Sequence, residues 1–127
     1  MTAAPSGVTA AVSAGTRLFN RGRYVEAHET WEAAWRDAPV EDRGFLEALI
    51  QLATGMHLRV ARGATRGAVN LLGQSLVGLD DYRPAAHGVD VETLVGEVGA
   101  FVEWLRKVQR PHRALDGRRV PRIQPCH

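Results

Sequence analysis

Apolar residues recur every three or four positions along most of the chain, which is the spacing of an amphipathic α-helix. The pattern predicts five helices, over residues 8–20, 23–37, 41–62, 64–82 and 91–109. The third segment is apolar over a wide arc, so we expect it to lie at the centre of the fold. No segment shows the sustained alternation of a strand, and the predicted fold class is therefore all-α.

Proline, glycine and one aspartate mark the helix ends in this pattern. Pro39 is expected to stop the second helix, and Gly63 to end the third. Asp90 is placed to cap the fifth helix, because an Asp side chain accepts hydrogen bonds from the first free backbone N–H groups. Residues 84–88 are predicted to be a loop.

A short repeat relates the first two helices to the next two. Three positions, a glycine, an alanine and a bulky apolar residue, recur 41 residues apart: Gly22, Ala27 and Trp31, then Gly63, Ala68 and Leu72. Each copy predicts an antiparallel helical hairpin, because glycine permits the tight turn and alanine permits a close helix crossing.

The first copy also resembles a tetratricopeptide repeat over residues 8–39. The matching positions are Gly15, Gly22, Tyr24, Ala27, Trp31, Ala34 and Pro39. We therefore predict a single domain, 1–127, that forms a five-helix bundle. It contains two tetratricopeptide-like hairpins (8–39 and 41–82), a closing helix (90–109) and an extended basic tail (110–127).

Composition narrows the classes of protein that the chain can be. Its 127 residues are 45% hydrophobic and 24% charged, ordinary values for a globular domain. No apolar run reaches the roughly 18 to 20 residues of a membrane span, and residues 1–14 do not form a secretory signal. The single cysteine, Cys126, excludes an internal disulfide, so we expect a cytoplasmic location.

Charge is unevenly distributed along the chain. Residues 1–105 hold nine basic and thirteen acidic residues (9 − 13 = −4), whereas residues 106–122 hold seven basic and one acidic (7 − 1 = +6). We expect the tail to lie extended along the acidic body. Nucleic-acid binding is not predicted, because no binding motif accompanies the basic residues.

The second helix carries the residues with the clearest chemical potential. His28 and Glu32 are one turn apart and face one side, with Glu29 on the flank and aromatic rings nearby. Glu47 and Gln51 form a row on the third helix that could meet them. The candidate polar site is His28, Glu29, Glu32, Glu47 and Gln51, framed by Tyr24, Trp31 and Trp35.

Three interpretations of this cluster remain open from the residues alone. His28 and Glu32 can form a structural pair within a buried polar network. They can also be two ligands of a divalent metal, although three or four ligands are usual, or they can belong to a metal-free binding or catalytic pocket. No cofactor is predicted, and no role is assigned to the remaining residues of interest: His57, His87, His112, His127 and Cys126.

The motifs resemble the family called domain of unknown function 309 over about residues 15–82. They are Phe19-Asn20-x-Gly22-x-Tyr24, Glu26-Ala27-His28-Glu29-x-Trp31-Glu32-x-x-Trp35, Phe45-Leu46, Ile50-Gln51-x-Ala53 and Gly67-Ala68-x-x-Leu71-Leu72. The resemblance implies a small, all-helical, uncharacterised bacterial or archaeal protein. Family members have been labelled as metal-dependent hydrolases, and the resemblance carries over His28, Glu29, Glu32 and Gln51, with Trp31 and Trp35 as their frame.

Two functions from different classes follow. The first is a protein-interaction or scaffold module, which the repeat-like hairpins favour, and which includes self-association as a homodimer. The alternative is a metal-dependent hydrolase that uses His28 and Glu32 with a nearby carboxylate. No nucleophile elbow or phosphate-binding glycine loop is present in the sequence.

Overall fold

The chain folds into five helices and one very short β-hairpin. A computed structural model describes residues 7–107 and 120–126. The helices are α1 (Gly7–Asn20), α2 (Tyr24–Asp37), α3 (Val40–Arg62), α4 (Thr65–Asp80) and α5 (Val91–Lys107), and the strands are β1 (Ala85–Ala86) and β2 (Val89–Asp90). Each helix packs against the next along the chain, from α1 against α2 to α4 against α5. This confirms the predicted bundle of five helices.

The helix ends follow the predicted signals. Ala38 is extended (ψ 147°), as the residue before Pro39 must be, and α2 ends there. Gly63 adopts the left-handed conformation (φ 64°), and its N–H caps the carbonyl end of α3. Asp90 accepts hydrogen bonds from the Thr93 backbone N–H (2.9 Å) and hydroxyl (2.7 Å), so it caps α5 as predicted.

The internal repeat corresponds to equivalent turns and equivalent buried positions. Gly22 is left-handed (φ 79°) like Gly63. Its partner positions are fully buried in both copies, with Ala27, Trp31, Ala68 and Leu72 all at 0% exposure. The sequence repeat therefore corresponds to a repeated turn and a repeated set of buried positions. The specific likeness of residues 8–39 to a tetratricopeptide repeat stays a prediction.

The core lies along α3, as the width of its apolar face predicted. Nine residues of α3 are buried: Phe45, Leu46, Ala48, Leu49, Leu52, Ala53, Gly55, Met56 and Arg59. The last of these is a cation at 3% exposure, whose guanidinium lies 5.9 Å from the centre of the Trp104 ring of α5. A cation over an aromatic face is stabilised by the electrons of the ring.

The prediction of a simple loop over residues 84–88 is wrong. Ala86 pairs with Val89 and Ala85 with Asp90 in an antiparallel hairpin. Its two turn residues, His87 (φ 47°) and Gly88 (φ 79°), both have positive φ, which is the conformation of the tight turns that match strand twist. Strands of two residues are too short to show alternation, and so the sequence pattern did not reveal them.

Part of the C-terminal tail lies against the body in extended form. Ile123 is 1% exposed and Val89 forms an isolated bridge with Pro125. We call residues 120–126 the C-terminal segment. The rest of the predicted tail, residues 110–119 and 127, lies outside the described residues.

Candidate functional site

His28 and Glu32 form the predicted pair, but at the surface of α2. His28 Nε2 lies 2.9 Å from Glu32 Oε2, and their side chains are 34% and 42% exposed. The second carboxylate oxygen lies 3.3 Å from Arg36 Nη2. These three residues are spaced four apart, so they form a ladder of charged and polar groups along one helix face.

The other predicted polar residues are not part of this ladder. Glu29 and Glu47 are exposed. Gln51 Nε2 donates to Gln74 Oε1 at 3.2 Å, which directs its amide towards α4. From the sequence, Gln51 was predicted to face α2. Because α3 packs against both α2 and α4, the helical period alone could not decide which neighbour its polar row would meet.

The metal interpretation needs more ligands than the described part of the chain brings together. Within residues 7–107 and 120–126, no three His, Cys, Asp or Glu side chains are arranged to hold a metal ion. His28 and Glu32 alone are fewer than the three protein ligands of a catalytic zinc site. We therefore derive no metal-assisted step at this pair.

The aromatic frame belongs mainly to the core. Tyr24 packs edge-on against Phe19, with ring centres 5.0 Å apart, and burial raises the pKa of its hydroxyl. Trp31 is fully buried, whereas Trp35 is partly buried and carries the Arg43 guanidinium 5.3 Å from the centre of its ring. These rings fix the position of α2 in the bundle.

A concave site is lined by residues of α1, the hairpin and the C-terminal segment. A cleft of about 520 Å³ runs between α1, the hairpin turn and the C-terminal segment. Thr9, Ser13, Thr16 and Asn20 line it at intervals of three or four residues, so they form a polar stripe about 16 Å long on α1. The Thr16 hydroxyl oxygen is buried and has no hydrogen-bond partner among the residues that the structure describes.

Three side chains from distant parts of the sequence meet at one end of this cleft. Thr9 Oγ1 lies 2.8 Å from His87 Nδ1, and His87 Nε2 lies 2.8 Å from Asp42 Oδ1. The His87 ring also stacks on Phe45, with centres 5.7 Å apart. The side chains of His87 and Asp42 are only 18% and 21% exposed. This is a hydroxyl–imidazole–carboxylate relay, held between α1, α3 and the hairpin.

Asn20 holds the C-terminal segment at the other end of α1. Its amide Nδ2 donates to the Ile123 carbonyl (2.9 Å), and its Oδ1 accepts from the Ile123 N–H (2.8 Å). One side chain therefore satisfies both backbone groups of one residue. These two hydrogen bonds bind the main chain of an extended segment, so they do not depend on which side chain stands at position 123.

The hairpin is anchored to the rest of the fold by an ion-pair network around Arg83. Arg83 Nε donates to Glu92 Oε2 at 2.8 Å, and Arg83 Nη1 to Asp80 Oδ1 at 2.9 Å. The two carboxylates raise the pKa of Arg83, and the hydrogen bond from Arg83 lowers the pKa of Glu92. The network ties the end of α4 to the start of α5 around the hairpin.

No site role was predicted from the sequence for His87, Thr9, Asp42 or Asn20. Asn20 was predicted only as the end of the first helix and as part of the Phe19-Asn20-x-Gly22-x-Tyr24 motif, and His87 received no role. One local signal was present, since a polar residue followed by Gly88 is typical of a two-residue hairpin turn. No periodicity relates residues 9, 42 and 87, because tertiary packing alone brings them together.

Fold and site together define a small helical-bundle protein with a polar cleft along its first helix. Residues 12–71 match the family model described as Domain of unknown function (DUF309), which supports the resemblance to that family. A comparison with curated proteins finds no significant match. Across the described ranges, no helix is long and apolar enough to cross a membrane.

Proposed function

We propose that this protein is an interaction module that binds an extended polypeptide segment in the groove between α1, β2 and α5. The C-terminal segment occupies this groove as a resident ligand. The observation that carries the proposal is the double hydrogen bond between Asn20 and the main chain of Ile123. The groove is the partner-binding surface that the scaffold hypothesis requires.

Main-chain contacts continue along the segment on both sides of Ile123. The Asp90 N–H donates to the Gln124 carbonyl (2.9 Å), and the Cys126 N–H donates to the Gly88 carbonyl (3.0 Å). On the other side, the Arg122 N–H donates to Glu97 Oε1 (3.2 Å). The segment thus adds a strand-like edge to β2, which is a recurring mode of peptide recognition.

Two buried side chains, Pro121 and Ile123, anchor the segment, and main-chain hydrogen bonds add to their contribution. Ile123 is 1% exposed, and full burial of such a side chain contributes about 1.5 to 3 kcal/mol. Pro121 and Pro125 flank it and favour an extended conformation before binding. We therefore propose that a partner presents an extended stretch with one branched aliphatic residue in place of Ile123.

A peptide-binding experiment tests this function on the full-length chain. Ile123→Asp removes one of the two buried anchors, so it should release the C-terminal segment and free the groove. A fluorescein-labelled peptide with the sequence of residues 119–126, with Ser in place of Cys126, should then bind this variant. Wild type should bind the peptide much more weakly, because its own segment is held at a high effective concentration.

Asn20 supplies the decisive variant. In the Ile123→Asp background, Asn20→Ala should weaken peptide binding by about 5- to 150-fold, since two hydrogen bonds contribute about 0.5 to 1.5 kcal/mol each. The matched control is Asn70→Ala on the exposed surface of α4, which should leave binding unchanged. Equal peptide binding with and without Asn20, in proteins that give the same circular dichroism spectrum, would contradict the proposal that this groove binds the peptide.

A second copy of the chain is one source of such a segment, which gives the homodimer expected from the sequence a physical form. Asn20→Ala retains a normal segment, and Ile123→Asp retains a normal groove. We propose that a mixture of the two variants forms a heterodimer, with one intact groove–segment contact per pair. Light scattering of the mixture, compared with each variant alone, measures this association.

We also propose a cytoplasmic location, in keeping with the exposed free thiol of Cys126.

A further inference from the structure

Thr9, His87 and Asp42 form a continuous chain of hydrogen bonds from a hydroxyl through an imidazole to a carboxylate. An ionised carboxylate only accepts hydrogen bonds, so His87 Nε2 carries the proton that is shared with Asp42. In the neutral imidazole this leaves Nδ1 as an acceptor, and its partner at 2.8 Å is the Thr9 hydroxyl. With His87 neutral and Asp42 ionised, Nδ1 is thus a base within hydrogen-bonding distance of the Thr9 hydroxyl, an arrangement that can activate a hydroxyl as a nucleophile.

The surroundings hold this arrangement in place beside an open space. His87 has φ 47°, which is uncommon for a residue other than glycine. Its backbone and ring are fixed by the hairpin turn, the stack on Phe45 and two hydrogen bonds. Both Thr9 and His87 line the cleft of about 520 Å³, a volume that suits a small organic ligand.

We propose that Thr9, His87 and Asp42 form an acyl-transfer site that acts on a small ester bound in the cleft. Thr9 and His87 are the catalytic residues, and Asp42 is the positioning residue that fixes the imidazole tautomer.

The reaction balances with water as the only co-reactant. The Thr9 oxygen bonds to the carbonyl carbon of the ester while its proton moves to His87 Nδ1. The bond to the alcohol then breaks, and the leaving oxygen takes that proton. Water next attacks the acyl-threonine and gives a proton to Nδ1. The carboxylic acid departs as the Thr9 oxygen recovers that proton, which restores the hydroxyl.

The nucleophile can be tested with 4-nitrophenyl acetate on the full-length protein. Wild type should release nitrophenolate faster than buffer, and an acid-quenched sample should carry an acetyl group on Thr9 by peptide mass spectrometry. Thr9→Val keeps the shape and removes the hydroxyl, so it should lose about 100-fold or more of the rate, whereas Thr9→Ser should retain activity. Thr30→Val on α2 is the matched control and should leave the rate unchanged.

Asp42 is tested by a separate readout. Asp42→Asn should lower kcat and leave KM unchanged, because the asparagine amide can donate to Nε2 and reverse the tautomer. His87→Gln should abolish acetylation of Thr9. The proposal is overturned if wild type does not exceed buffer, if the acetyl group lies on another residue, or if folded Thr9→Val keeps the wild-type rate. Any of these results leaves the relay as a structural tie between the hairpin and α1.

Discussion

Gly15 is the position at which the packing of α1 against α2 is most sharply constrained. A Cβ placed on Gly15 would lie 2.1 Å from Trp31 Nε1 and 2.4 Å from Trp31 Cε2. Nonbonded atoms pack at about 3.5 to 4.0 Å, so the indole or the whole helix must move. Trp31 is fully buried, and so moving either the indole or the helix costs packing free energy. We predict that Gly15→Ala destabilises the protein.

The size of the effect follows from two opposing contributions. Replacing glycine by alanine inside a helix stabilises it by about 0.5 to 1 kcal/mol. Expelling a buried tryptophan costs about as much as its deletion, roughly 3 to 5 kcal/mol. The net loss is then about 2 to 4 kcal/mol, which corresponds to a fall in melting temperature on the order of 10 °C for a domain of this size.

The assay is urea unfolding followed by circular dichroism, with a glycine that lacks this contact as control. Gly96→Ala in α5 adds a Cβ with nothing within 4 Å, so it should stabilise the protein slightly. Trp31→Phe combined with Gly15→Ala should cost less than the two single changes together, since a smaller ring accommodates the new methyl group. If Gly15→Ala is as stable as Gly96→Ala, the close approach of Gly15 to Trp31 does not limit the packing of α1 against α2.

Two further predictions concern ionisable groups at the surface. His28→Ala should change the free energy of unfolding by less than about 0.5 kcal/mol, because exposed pairs four residues apart contribute little, and EDTA should leave the wild-type melting temperature unchanged. A melting temperature that falls with EDTA in wild type alone would instead support a metal at His28 and Glu32. The hydrogen bond from Arg83 lowers the pKa of Glu92 from its ordinary value of 4.5. The pair therefore stabilises the fold above pH 4.5. This stabilisation is lost as the pH falls through the folded-state pKa of Glu92. Relative to Arg66→Gln, Arg83→Gln should therefore destabilise the protein at pH 7, and this loss should become smaller as the pH falls below 4.5. A loss that stays constant as the pH falls would contradict this.

Local signals in the sequence determined where the helices lie and how they end. Proline excludes the helical conformation at the residue before it, glycine adopts the left-handed turn without a steric penalty, and Asp90 caps through its own side chain. Each of these effects acts over a few residues, and the structure confirms them at Pro39, Gly63 and Asp90. The pairing of His28 with Glu32 was predictable for the same reason, since both lie on one helix.

Relations between helices depended on tertiary structure. The helical period places Gln51 on a face, but only the packing of α3 between α2 and α4 decides that its partner is Gln74. The exposure of His28 likewise depends on which elements cover α2. His28 lies at the surface, although the neighbouring rings of Trp31 and Trp35 suggested that it would be buried.

The cleft and its two sets of polar contacts depend entirely on tertiary structure. Thr9, Asp42 and His87 are 33 and 45 residues apart along the chain, and they meet because the hairpin turn fits between the starts of α1 and α3. Asn20 reaches Ile123 across 103 residues. Hydrogen bonds of this kind leave no period or spacing in the sequence, because the geometry that satisfies them exists only once the helices have packed.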